Sequence, residues 1–180
     1  MKKRVLCLLA PGFEEIETVA PIDLLRRAEA EVIIASLNAD KLVTGRCGIV
    51  MQADVTLAEV ETQSFDLLFI PGGPGVKVLR EDGRPAKLAK AYTAQGKLVA
   101  AICAAPLVLA DAGLLAGKRF TAHFSVHANL PGVLPDERVV KDGNLITSRG
   151  AGTAVEFGLA LVCALFSDAK AKEVADAIML

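Results

Sequence analysis

The chain has no tryptophan and one tyrosine, and neither sign of charge is in excess: 20 Lys and Arg stand against 21 Asp and Glu. Nucleic acids are bound through basic stripes and stacking rings, so nothing here points to a sequence-specific nucleic-acid partner. Long apolar runs are missing as well. The opening MKKRVLCLLAPGFEE starts like a signal peptide, but its apolar run (Val5 to Ala10) is short and acidic residues follow at once. It reads as a first strand. Other apolar runs are interrupted, as at Pro106, or too short to span a bilayer, so no membrane partner is expected. The four cysteines (7, 47, 103 and 163) form no C-x-x-C pair, and no histidine pair lies near them. That spacing disfavours zinc, or any metal, and without an export signal a disulfide framework is not expected. The expected setting is a reducing cytoplasm.

What is present is ample apolar material. Hydrophobic residues are 53% of 180 and charged residues 23%, enough for one well-buried domain over residues 1–180. Short apolar runs alternate with helical patterns: RVLCLLA, EIETVAPIDLLRRA, EVIIASL, then FDLLFIPGG, RPAKLAKAYTAQ, KLVAAIC and APLVLADAG. The unbroken apolar character of LCLLA, DLLFI and LVAAI suits parallel strands covered on both faces. The fold class expected is α/β, a doubly wound parallel-sheet sandwich. Residues 42–56 predict a small peripheral β-hairpin outside that sheet. RVVKDGNLITS carries Asp142-Gly143, a hairpin signal. Thr153 and Glu156 have capping-box spacing at the start of the last apolar helix, where Cys163 is expected to pack.

Ligands of such sheets gather at the carboxyl ends of strands. Cys103 falls at one, between KLVAAI and a helix that Pro106 would open. A thiol there would feel the helix N-terminus, which lowers its pKa. The strand–nucleophile–helix layout is that of a nucleophile elbow without the G-x-S-x-G spelling; a small packing residue fits the same position. Gly72 and Gly73, after another strand, can turn the backbone and expose N–H groups as an anion or oxyanion site, or form a plain turn. Among the acidic residues opening the first helix, Glu15 projects near Arg26 and reads as solvated. Glu17 falls on a stripe with Pro21, Leu24 and Ala28, with no local counter-charge. Such a carboxyl tends to retain its proton, although an ordinary N-terminal helix charge is the simpler reading. Pro21 should distort that helix. His123 ends a predicted strand twenty residues after Cys103, which permits a Cys–His pair. His127 reads as part of a surface turn.

Together, APGFEEIETVAPIDLLRRA, DLLFIPGG, AAICAAPLVLADAGLLAGKRFT and ITSRGAGTAVEFGLALV resemble the ThiJ/PfpI superfamily, in the branch of the parkinsonism-associated deglycases. The likeness runs nearly from end to end. It implies a flavodoxin-like sandwich, usually a homodimer. It implies Cys103 as nucleophile, Glu17 as its carboxylic-acid partner and His123 as the family histidine. Backbone N–H groups of Gly73 and Ala104 would be the oxyanion donors. It also implies a cofactor-free deglycase or glyoxalase acting on methylglyoxal, glyoxal or their early adducts on proteins or nucleotides. The alternative is an oxidative-stress sensor or redox-linked chaperone working through oxidation of Cys103. A peptidase role ranks lower, because Ala104 and not histidine follows the cysteine. The family often carries an arginine that approaches the partner subunit's site. In Thr-Gly-Arg46-Cys47-Gly48 the arginine stands one place early, and a one-residue slip in a strand turns a side chain to the other face.

Overall fold

The computed structural model describes residues 2–180. In chain order the elements are β1 (Arg4–Leu9), α1 (Glu15–Arg27), β2 (Glu31–Ser36), β3 (Leu42–Thr44), β4 (Val50–Gln52), β5 (Val55–Thr56) and α2 (Leu57–Val60). There follow β6 (Leu67–Ile70), α3 (Val76–Asp82), α4 (Arg84–Ala94), β7 (Leu98–Ile102) and α5 (Pro106–Asp111). The chain closes with β8 (Val139–Asp142), β9 (Leu145–Ser148), α6 (Ala154–Leu165) and α7 (Asp168–Ala177).

Seven strands form one sheet in the order β5-β2-β1-β6-β7-β9-β8. Every pairing is parallel except β8 with β9. Because side chains alternate along a strand, β1 feeds two cores at once. Leu6 and Leu8 pack among the residues of α3, α4 and α5, whereas Val5, Cys7 and Leu9 pack among those of α1, α6 and α7. A strand buried on both faces has no polar alternation to show, and this is why its sequence reads as a continuous apolar run. On the second face Phe157 of α6 meets Phe69 of β6, ring centroids 5.7 Å apart. The expected doubly wound sandwich is the fold observed.

β3 and β4 form a separate antiparallel pair, the peripheral hairpin predicted over 42–56, while β5 leaves it to extend the edge of the main sheet. The Asp142-Gly143 hairpin is not peripheral: β9 lies against β7 inside the sheet. α1 runs through Pro21 without a break. The capping box at α6 does not form. Thr153 Oγ1 turns back to Gly150 O (2.8 Å) and Ser148 Oγ (2.6 Å), and Glu156 pairs with Arg138 (2.6 Å). Cys163 is half-buried, with its thiol donating to Asp168 Oδ1 at 2.8 Å, so it does more than pack. No described helix is long and apolar enough to cross a membrane.

Candidate active site

β7 ends at Ile102, and Cys103 then adopts φ +64° before the chain enters α5. A side chain in the left-handed region costs about 1–2 kcal/mol, so the surrounding structure has to hold it there. It does so from both ends of the peptide. Cys103 N–H donates to Ser148 O at the end of β9 (2.9 Å), and Cys103 O accepts from His123 N–H (2.8 Å). The elbow read from KLVAAIC is therefore present, with the thiol turned out of the strand line and 9% exposed.

Glu17 lies in the first turns of α1, capped by the Glu14 side chain, which accepts from Glu17 N–H at 2.8 Å. Its carboxyl is 1% exposed and Oε2 has no hydrogen-bond partner of regular geometry. Burial raises the Glu17 pKa to about 7, Glu14 adding to the rise, while the Cys103 thiol, the Gly72 N–H and the Arg46 charge oppose it. The retained proton predicted from the α1 stripe thus has a structural cause. The glycine at 72 makes the meeting possible. A Cβ there would lie 2.6 Å from Cys103 Cβ and 2.8 Å from Ile102 O, and closer still to the Glu17 carboxylate.

The expected depression of the Cys103 pKa does not occur. Burial and the Glu17 carboxylate push the thiol up, to about 12, against the backbone N–H groups of Gly73 and Ala104, which face the sulfur. The reason the sequence misled is physical: the field of a helix N-terminus is local, whereas the burial and the Glu17 carboxylate that outweigh it are brought to Cys103 by distant segments.

A cleft of about 320 Å³ opens over the pair, bordered by Glu14, Arg46, Gly73, Ala104, His123 and Ser125 together with Cys103 and Glu17. His123 reaches the cleft, but its Nδ1 is taken by Ser125 Oγ (2.8 Å), and no hydrogen bond joins it to the thiol. Burial, His127 and Arg46 lower its pKa, which favours the neutral ring. His127 lies half-buried in the turn expected there, the 3-10 turn Phe124–Asn129, with Nε2 on Ala122 O at 3.0 Å. Arg46 borders the cleft of its own chain. Glu15, read as solvated beside Arg26, is instead 7% exposed under the β3–β4 turn, where it accepts from Cys47 N–H at 2.7 Å. Arg26 turns elsewhere, to Val32 O and Asp54. Among the described residues no group of three or more His, Cys, Asp or Glu side chains is placed to hold a metal ion.

Residues 3–164 match the DJ-1/PfpI family. The chain belongs to it. It is similar to the protein dj-1beta of Drosophila melanogaster, with 40% identity over 184 residues covering 100% of this chain and 98% of that one. The crystal structure of that protein superposes with a TM-score of 0.96, over 100% of this chain and 99% of the other. The oxidized DJ-1 of Toxoplasma gondii gives a TM-score of 0.94 at 37% identity, over 98% of each chain. A Bacillus subtilis protein, provisionally named a cysteine protease, is 38% identical over 152 residues, 83% of this chain and 90% of its own.

Proposed function

We propose that the chain is a cofactor-free, cysteine-dependent glyoxalase or deglycase of small dicarbonyls and their early adducts. The observation that carries this is the placement of Cys103, at a strained elbow, against the buried Glu17 carboxyl and two backbone N–H groups. With a thiol held at high pKa, attack needs a base, and a carboxyl poised near pH 7 is suited to take the proton as the C–S bond forms. The sulfur adds to the aldehyde carbon of methylglyoxal, the carbonyl electrons move to oxygen, and Glu17 keeps the thiol proton. Gly73 and Ala104 N–H groups then stabilise the negative oxygen of the hemithioacetal.

Moving one proton from the former aldehyde carbon to the neighbouring carbonyl carbon, through an enediol, turns the hemithioacetal into a thioester. Water hydrolyses it to lactate and returns the thiol, with no net oxidation. Glu17 is the group closest to this work, and His123, which borders the cleft with Nδ1 held by Ser125, is the second titratable group that could move a proton there. An early adduct enters the same sequence once its C–N or C–S bond breaks: the amine or thiol leaves with the proton that the Cys103 thiol gives up, and the Cys103 sulfur takes its place on that carbon.

Peptidase chemistry is less well supported here, because the imidazole of His123 binds Ser125 and not the thiol. Redox sensing is the second reading, favoured by a reachable Cys103 and a relative known in an oxidized form, although the raised thiol pKa slows reaction with peroxide. Lactate formed from methylglyoxal, followed by NMR beside the Cys103→Ser variant, separates the two. Lactate lost in the variant supports the enzyme. No lactate from folded, reduced protein would leave redox sensing as the better account.

A further inference from the structure

The buried Glu15 carboxylate has no part in the chemistry above, yet it sits one helical position from the N-cap of α1, and none of the ion pairs among the described residues includes it. Burial alone would raise its pKa. The Cys47 N–H, which donates to Oε1, outweighs that together with the nearby N–H groups of Glu15 itself and Ile49 and the Cys47 thiol, and holds it below the usual range, although Oε2 has no hydrogen-bond partner of regular geometry. The β3–β4 turn is moulded around it. Cys47 N–H donates to Glu15 Oε1 (2.7 Å), and Gly45 N–H and Gly48 N–H close the turn on Ile49 O (2.9 Å) and Gly45 O (3.1 Å). A Cβ at Gly45 would lie 2.7 Å from Glu15 Cδ, so the turn rests directly on the carboxylate. Between these two contacts stands Arg46, whose N–H donates to Phe13 O at 2.8 Å and whose side chain borders the Cys103 cleft.

We propose that Glu15 is a positioning residue: it pins the 45–48 turn to the start of α1 and so keeps the Arg46 guanidinium over the Cys103–Glu17 pair. The inference deepens the function proposed above but is tested without turnover. The charged and titratable groups facing Glu17 are Glu14, Cys103 and Arg46, with His123 across the cleft. Arg46 is the cation of that set: it favours an ionised Glu17, and by the same attraction it favours the Cys103 thiolate, the effect read at Cys103 because Glu17 is already ionised where the thiol titrates. Freeing the turn removes this influence.

The test is the pH profile of iodoacetamide alkylation at Cys103, read by peptide mass spectrometry, in the wild type and in Glu15→Ala, Glu15→Gln, Arg46→Ala and the Glu15→Ala/Arg46→Ala double variant. Glu15→Ala and Arg46→Ala should each move the profile to higher pH by about half a pH unit, the effect of one solvent-screened charge several ångströms away. The double variant should move no further than either single one. Glu15→Gln, which keeps an oxygen acceptor for Cys47 N–H, should stay near the wild type. The sign is decisive, because direct loss of a negative charge would move the profile to lower pH. Gly45→Ala provides a second perturbation of the same contact if Glu15→Ala fails to fold, with the same upward shift expected. A profile unchanged or lowered in Glu15→Ala, or in Gly45→Ala where that variant must stand in, overturns the proposal, as does additivity in the double variant or an Arg46→Ala profile that does not move. None of these results depends on whether lactate is made.

Discussion

Replacing Glu17 by glutamine should change how stability depends on pH, in a direction fixed by the structure. In the unfolded chain the carboxyl ionises near 4.5, whereas in the folded chain burial holds its proton to about pH 7. Between those values the folded state carries a proton that the unfolded state has lost. Stability therefore falls as pH rises through this window and levels off above it. The rise from 4.5 to about 7, at ~1.36 kcal/mol per pH unit, corresponds to about 3 kcal/mol. Little solvent screening reduces this figure, since Glu17 is 1% exposed. Glutamine does not titrate, so the difference between Glu17→Gln and wild type should grow by about 2.5 kcal/mol, in favour of the variant, from pH 5 to pH 8, the remainder of the change lying below pH 5. Cys103 stays protonated across the range and does not blur the comparison. Urea unfolding of both proteins at pH 5, 6, 7 and 8 under reducing conditions measures it. A difference independent of pH, or one growing in favour of the wild type, would refute the buried, proton-retaining carboxyl.

Cys103→Gly should be more stable than Cys103→Ala by about 1 kcal/mol, because only the alanine keeps a side chain at φ +64°; equal midpoints in urea would mean the elbow is unstrained. Gly72→Ala should cost about 2 kcal/mol or more and slow Cys103 alkylation, since the added methyl meets Ile102 O and Cys103 Cβ below contact distance; a variant of wild-type stability would contradict the close approach. Above about pH 9 the protein should lose stability with each further rise, because Cys7 and Cys103 keep in the folded state protons that unfolded thiols release; Cys7→Ala should show a shallower fall in pH-dependent melting.

The sheet was legible because its central strands are covered on both faces, so LCLLA, DLLFI and LVAAI stand out as unbroken apolar runs between amphipathic helices. The elbow was legible for a related reason: a cysteine at the end of such a run, followed by Pro106, marks where strand gives way to helix. Glu17 showed itself through helical spacing, which is local. What escaped depends on contacts between distant segments. Glu15 looks solvated on a helical projection because the turn that buries it comes thirty residues later. Thr153 has the spacing of a cap, yet the end of β9 supplies Ser148 as a closer partner. The thiol pKa was misjudged because a local field can be read from sequence and a desolvation cost cannot. Arg46 is the intermediate case. Its position in the text is offset from the family pattern, and only the anchoring of its turn on Phe13 and Glu15 puts it at the cleft of its own chain.

The most direct test of Glu17 as the proton-handling partner of Cys103 is the rate of lactate formation from methylglyoxal at pH 7 in wild type and Glu17→Gln, each verified as folded by its urea transition. Loss of the general base should lower the rate about 100-fold or more, with Cys103 still open to alkylation in the variant. A folded Glu17→Gln protein that makes lactate at the wild-type rate would contradict it.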